Sequence, residues 1–147
     1  MNRNVNAISG RLSLRKPQRD SLELLHRLTE LLDWKTGSAK KTPDLAAALA
    51  AIRKEFPTVS DFEREFASLC FALATGVGKT RLMGAFIAYL HLEHGINNFF
   101  VMAPNLTIYN KLMTDFTPNT PKYVFKGISE FNIEPPDIVT GENYEKP

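Results

Sequence analysis

Six apolar residues, Leu69-Cys70-Phe71-Ala72-Leu73-Ala74, run into Thr75-Gly76-Val77-Gly78-Lys79-Thr80, and a helical pattern follows at once. Apolar strand, glycine-rich turn and helix start, in that order, make up the arrangement that holds a phosphate. Gly76 and Gly78 can take backbone angles that L-residues avoid, so consecutive N–H groups turn towards one anion. Lys79 adds a point charge for β- and γ-phosphates, and the Thr80 hydroxyl can ligate Mg²⁺. At the first position of the full motif stands Leu73 instead of Gly or Ala. That residue shapes the strand end and touches no phosphate, so the departure weighs little. The bland alternative is a Gly-Lys-Thr that fell into a turn by chance; the strand before it and the amphipathic helix after it favour the anion-binding reading.

A chain of 147 residues fits one domain and can bury a sizeable core. Its 44% hydrophobic and 23% charged residues are ordinary for a globular protein. Net charge is +2, from 18 basic against 16 acidic residues, which does not by itself indicate nucleic acid. That partner requires its cations concentrated on one face. Cys70 is the single cysteine, read as a small core residue of the strand. One thiol allows no disulfide within the chain, which suits a reducing cytosol. Met1-Asn2-Arg3-Asn4-Val5-Asn6 lacks the apolar stretch of a signal peptide, and no run approaches the roughly 20 apolar residues of a membrane span. The expectation is a cytoplasmic protein with no membrane partner.

Residues 1–13 read as a loosely held N-terminal arm. In the next stretch, 14–68, Pro17 suits the first turn of a helix, and Leu22, Leu25, Leu28 and Leu32 repeat at helical steps to about Asp33, with Leu24 and Leu31 widening the stripe. Gln18 and Arg19 lie ahead of that apolar face, where side chains reach a ligand or simply form a solvated first turn. Trp34 to Lys41 read as a surface loop. Thr42 is expected to cap a second helix with Leu45, Leu49, Ile52 and Phe56 on one face, ended by Pro57. Ser60 to Glu63 resemble a capping box ahead of the strand, and Asp61, Glu63 and Glu65 read as solvated carboxylates.

The final stretch, 69–147, opens with the apolar strand and the glycine turn. The helix from Lys79 to about Glu93 carries Leu82, Met83, Phe86, Ile87 and Leu90 as a stripe suited to cover a sheet. His91 and His94 near its end have no third ligand at metal spacing, and Gly95 stops the helix. Phe99 to Ala103 form a second continuous apolar run, read as a strand buried on both faces. Strand, helix and strand make a right-handed βαβ unit. Asn105 caps a third helix bearing Leu106, Tyr109, Leu112 or Met113, and Phe116. Lys122 to Ile128 and Asp137 to Thr140 read as two further short strands.

Leu14-Arg15-Lys16-Pro17-Gln18, then Ala74 to Thr80, then Val101-Met102-Ala103-Pro104-Asn105-Leu106 stand in one order. Together they resemble the first motor lobe of superfamily 2 helicases, and within that group the ATP-dependent (Res) subunit of type III restriction systems and its DEAD/DEAH-box relatives. The resemblance covers about residues 14–144. It implies an α/β fold: a RecA-like P-loop NTPase lobe, parallel sheet with flanking helices, its N-terminal portion only, behind a helical segment. It implies ATP and Mg²⁺ as cofactors, with Gln18 reading the adenine edge and Thr75, Gly76, Val77, Gly78, Lys79, Thr80 and Arg81 around the nucleotide. Lys79 and Thr80 are its catalytic pair, and Thr80 its Mg²⁺ ligand. Pro104, Asn105 and Leu106, with Thr140 more weakly, are its contacts to the DNA backbone. The remainder of the motor and a modification subunit are its implied partners.

One element of the family pattern is missing: after Thr80 there is no Asp-Glu pair to hold Mg²⁺ and position the attacking water. The expectation is therefore the N-terminal fragment of a longer ATP-dependent helicase or translocase, inactive as a hydrolase alone. The family fold also pairs the strand at 69–74 with strands outside this piece, not with 99–103. A truncated nucleotide-binding or interaction module is the alternative. A small-molecule P-loop kinase is disfavoured, because no Arg-rich lid is present.

Overall fold

The computed structural model describes residues 2–32 and 44–145. Six helices follow in order: α1 (Arg3–Arg11), α2 (Lys16–Leu31), α3 (Leu45–Glu55), α4 (Lys79–His94), α5 (Leu106–Phe116) and α6 (Ser129–Ile133). The loop read at Trp34 to Lys41 and the cap read at Thr42 lie outside the described residues. No helix among the described residues is long and apolar enough to cross a membrane.

The N-terminal arm is a helix. Asn2 Oδ1 accepts the N–H groups of Asn4 at 2.8 Å and Val5 at 3.1 Å, which satisfies two of the donors a helix start leaves open. Val5 and Ile8 on α1, with Leu12 at its end, are buried in the main core. Few apolar side chains drive the docking, which is why a mostly polar segment conceals a helix. Asn2 and Asn4 also donate to the Glu93 carboxylate at 2.9 and 2.7 Å, tying the start of α1 to the end of α4.

On α2 the expected stripe is present, with Leu22, Leu25 and Leu28 buried. Its first two leucines belong to the main core with α1 and α4; Leu28 joins a second cluster with Ala48, Ile52 and Phe62. Helix α3 is capped by Asp44, whose carboxylate accepts from Ala46 and Ala47. An ion pair between Arg27 and Glu55 joins α2 to α3.

Helix α4 ends at Gly95, in the left-handed region at φ +65°. Its most deeply buried face is Leu82, Gly84, Ala85, Ala88 and Tyr89, whereas Met83, Phe86, Ile87 and Leu90 are only half-buried. Small residues win the inner face because α4 packs against both α1 and α2 and needs close approach.

The α/β reading, a RecA-like lobe with a parallel sheet, is overturned: the described residues form helices and turns, with no strand. The physical reason is pairing. A strand is held by a ladder of bonds to a neighbour, and among the described residues the backbone of 69–74 and 99–103 bonds to no other segment. Nor is either run buried on both faces. Phe100 is 90% exposed and Met102 79%. Along the first run Leu69, Phe71 and Leu73 are half-buried while Cys70, Ala72 and Ala74 are exposed, so this segment rests one side on the helices. Cys70 is thus a surface residue, not a core one. Residues 122–128 form successive turns, with Val124 N–H donating to Asp115 O at 2.8 Å and Ile128 N–H to Phe125 O at 2.8 Å. Tyr123, Val124, Phe125 and Ile128 are buried all the same, so the run read as a strand packs into the core as turns.

Candidate functional site

Two glycines set the path between Thr75 and Lys79. Gly76 has φ +83° and Gly78 φ +88°, both in the left-handed region that a Cβ disfavours. Gly78 is the residue before α4 and offers no side chain to cap it. The N–H groups of residues 76–81 consequently donate to no other group of the described chain. Thr75, Gly76, Gly78 and Lys79 are exposed, with Val77 and Thr80 half-buried, so solvent reaches this row of donors.

Gln18 meets the loop from the first turn of α2. It is 2% exposed. Its Oε1 accepts the Arg15 N–H at 2.8 Å, and its Nε2 donates to the carbonyl of Gly78 at 2.9 Å, across 60 positions of sequence. One Nε2 proton and one oxygen lone pair remain uncommitted.

Thr80 is the second residue of α4, and its Oγ1 accepts from Lys111 Nζ of α5 at 3.1 Å. Lys111 also lies 3.4 Å from the carboxylate of Asp115, which is 5% exposed. Arg81 turns away from the glycines and donates to the carbonyl of Leu12 at 3.2 Å. Thr80, Arg81, Lys111 and Asp115 line one cleft of about 590 Å³. Lys111 and Asp115 escaped the sequence reading; the available signal was their four-residue spacing on a helix.

Pro104, Asn105, Leu106 and Thr140 stand apart from this cleft. Asn105 caps α5 through the N–H of Ile108 at 3.0 Å, and Leu106 and Pro104 are exposed. Thr140 closes a turn in which its N–H donates to Asn143 Oδ1 at 2.5 Å. Thr140 and Ala103 border a second hollow of about 600 Å³, lined mainly by apolar side chains and by no Lys or Arg. His91 and His94 bond to different partners, the carbonyl of Ile96 in one case and Tyr89 and Thr29 in the other.

The free N–H row, the αL glycines and the exposed Lys79 fit a phosphate chain. For a divalent cation the fit is thinner: among the described residues no three His, Cys, Asp or Glu side chains gather as ligands. Thr80 and phosphate oxygens would have to supply the coordination, which Mg²⁺ accepts because it keeps several waters. Residues 11–146 match the family model for the type III restriction enzyme, res subunit. No curated protein and no solved structure matches the chain.

Proposed function

The chain belongs to the type III restriction enzyme Res-subunit family, and on that premise we propose that it is the ATP-binding part of a DNA translocase or helicase. ATP sits with its phosphates on the N–H row of Gly76 to Arg81 and beside the Lys79 ammonium. Gln18 fixes the loop through Gly78 and turns its remaining proton and lone pair to the adenine edge. Thr80 offers its hydroxyl to Mg²⁺. Phosphoryl transfer asks little covalent chemistry of the protein, so positioning and charge stabilisation are the whole of its task.

The observation that carries this reading is the Gln18–Gly78 hydrogen bond. It joins the residue that follows Pro17 to the turn that precedes Lys79. Lys79→Ala tests it. Titration with a fluorescent ATP analogue should show at least a tenfold loss of affinity, of the size expected when a charge-assisted bond worth about 1.5–3 kcal/mol is removed. Unchanged affinity with an unchanged circular dichroism spectrum would sink the assignment.

A second reading, nucleotide binding without hydrolysis, is favoured by one feature: Lys111 occupies the Thr80 hydroxyl. ATP binding with no phosphate release, even in the presence of DNA, would select it.

A further inference from the structure

Helices α2 and α4 run parallel and are joined at both ends. Gln18 in the first turn of α2 bonds to Gly78 at the start of α4, and Thr29 near the end of α2 meets Tyr89 near the end of α4 at 3.1 Å. Each contact joins residues 60 positions apart, so the two attachment points have the same spacing along both helices, about 16 Å at the helical rise per residue. Between them lie Leu22 and Leu25 of α2 and Ala85 and Ala88 of α4, in one apolar cluster. Apolar burial is non-directional, so it holds the helices together without fixing how far one slides along the other. Hydrogen bonds do fix it, because they fail once donor and acceptor part by much more than about 3 Å.

The attachment far from the glycine loop is a buried polar cluster. Tyr89 is 0% exposed and Thr29 1%. Thr29 donates its hydroxyl proton to the His26 carbonyl at 2.8 Å, which leaves its oxygen to accept from Tyr89. His26 Nδ1 and His94 Nε2 approach the same Tyr89 oxygen at 2.8 and 3.2 Å, and His94 Nε2 also lies 3.2 Å from Thr29 Oγ1. Helix α2 thus supplies His26 and Thr29, and α4 supplies Tyr89 and His94. A slide of one helix along the other would break several of these bonds at once and strand buried hydroxyls, so the cluster admits one register. We propose that Tyr89 and Thr29, with the two histidines, are positioning residues for nucleotide selectivity: they fix the height of Gln18 over the glycine loop. That height decides whether the free amide proton and lone pair of Gln18 meet an adenine edge. The inference rests on the assignment of Gln18 to the base given above. The Gln18–Gly78 bond does not suffice alone, because a glutamine side chain can follow a shifted loop through its own rotamers while its free edge turns away. The N–H row and Lys79 belong to α4 and its leading turn, so phosphate binding does not depend on the register.

The test compares ATP, GTP and inorganic tripolyphosphate as competitors of a fluorescent ATP analogue on the 147-residue chain, with circular dichroism to confirm that each variant is folded. Wild type should prefer ATP to GTP about tenfold or more, the discrimination that a two-bond amide contact gives between purines. Gln18→Ala should abolish that preference. Tyr89→Phe and Thr29→Val both keep the shape of the side chain they replace. Each should lower the ATP-to-GTP affinity ratio about threefold or more and leave tripolyphosphate affinity within about twofold. Ile52→Val on α3, an equally buried change in the other apolar cluster, should lower the thermal midpoint and leave the ratio alone. A ratio that moves as much in Ile52→Val would mean general loosening and overturn the proposal. Parallel losses of ATP, GTP and tripolyphosphate in Tyr89→Phe would do the same. A ratio unchanged in both Tyr89→Phe and Thr29→Val, while Gln18→Ala still abolishes it, overturns the positioning role and leaves the nucleotide reading standing. A wild-type chain that binds no ATP, or a ratio that Gln18→Ala does not move, overturns the adenine reading and the positioning role with it.

Discussion

Gln18 and Gly78 are locked together: a Cβ built on Gly78 would stand 2.7 Å from Gln18 Nε2, the same atom that donates to the Gly78 carbonyl. The equivalent Cβ on Gly76 would meet nothing within 4 Å. Both glycines have positive φ, so either change to Ala carries a conformational cost of about 1–2 kcal/mol. Only Gly78→Ala also collides with a side chain. It should therefore cost more than Gly76→Ala, by a margin that disappears in a Gln18→Ala background. Urea denaturation of the three single variants and their combinations with Gln18→Ala measures the coupling, expected above about 0.5 kcal/mol. Equal costs in the wild-type background would show that the contact is slack.

Gly84 lies inside α4, where helix propensity alone makes Gly→Ala worth about 1 kcal/mol of added stability. The packing reverses that sign. A Cβ there would stand 2.9 Å from Val124 Cβ and 3.4 Å from the Val124 carbonyl, atoms that cannot swing aside. Gly84→Ala is expected to lower the thermal midpoint through overpacking, at about 1–3 kcal/mol. A raised midpoint would mean that the turns at 123–125 sit further from α4.

What the sequence disclosed, and what it withheld, divides along the range of the forces involved. The start of α2 at Pro17, the glycine turn with its αL angles, the stop at Gly95 and the Asn105 cap are all local, decided by a few neighbouring residues, and each was legible. The helix at Arg3–Arg11 was not, because its reason to form is docking against α2 and α4. The two apolar runs were legible as apolar but not as to state: Leu69 to Ala74 become a strand only with a partner, and none among the described residues pairs with them. The cleft beside Thr80 was invisible for the same reason, since Arg11, Lys111 and Lys126 are distant in sequence. Gln18 was legible as a candidate, and its contact with Gly78 was not.

Tyr89 is fully buried on α4, and its hydroxyl meets His26 Nδ1 at 2.8 Å, Thr29 Oγ1 at 3.1 Å and His94 Nε2 at 3.2 Å. Burial raises its pKa above the ordinary tyrosine value, with the Thr29 bond acting in the opposite sense. A folded-state pKa raised above the unfolded one gives stability that is complete below the unfolded pKa, about 10, and is lost as pH rises through the folded value. Tyr89→Phe should cost about 1 kcal/mol or more at neutral pH, by leaving polar partners without the hydroxyl. It should also make stability fall less steeply above pH about 10. Tyr123, likewise raised by burial, keeps part of that slope. Parallel stability–pH curves for the wild type and Tyr89→Phe would remove Tyr89 from the alkaline transition.

Cys70 separates a one-sided apolar segment from a strand buried on both faces. Leu69 and Phe71 on either side of it pack against both hydrophobic clusters, and Cys70 itself points out to solvent. In the folded chain its thiol should react with Ellman's reagent at a rate within about tenfold of the urea-unfolded chain, since no opening must precede attack. Cys70→Ser should leave stability within about 0.5 kcal/mol, the range of surface changes. A buried strand predicts the contrary on both counts: a protected thiol, and a cost of about 1–3 kcal/mol for a hydroxyl without a partner. A protected thiol with a costly serine would mean that both faces of residues 69–74 are covered. The half-buried alternation of Leu69, Phe71 and Leu73 could not then describe the chain in solution.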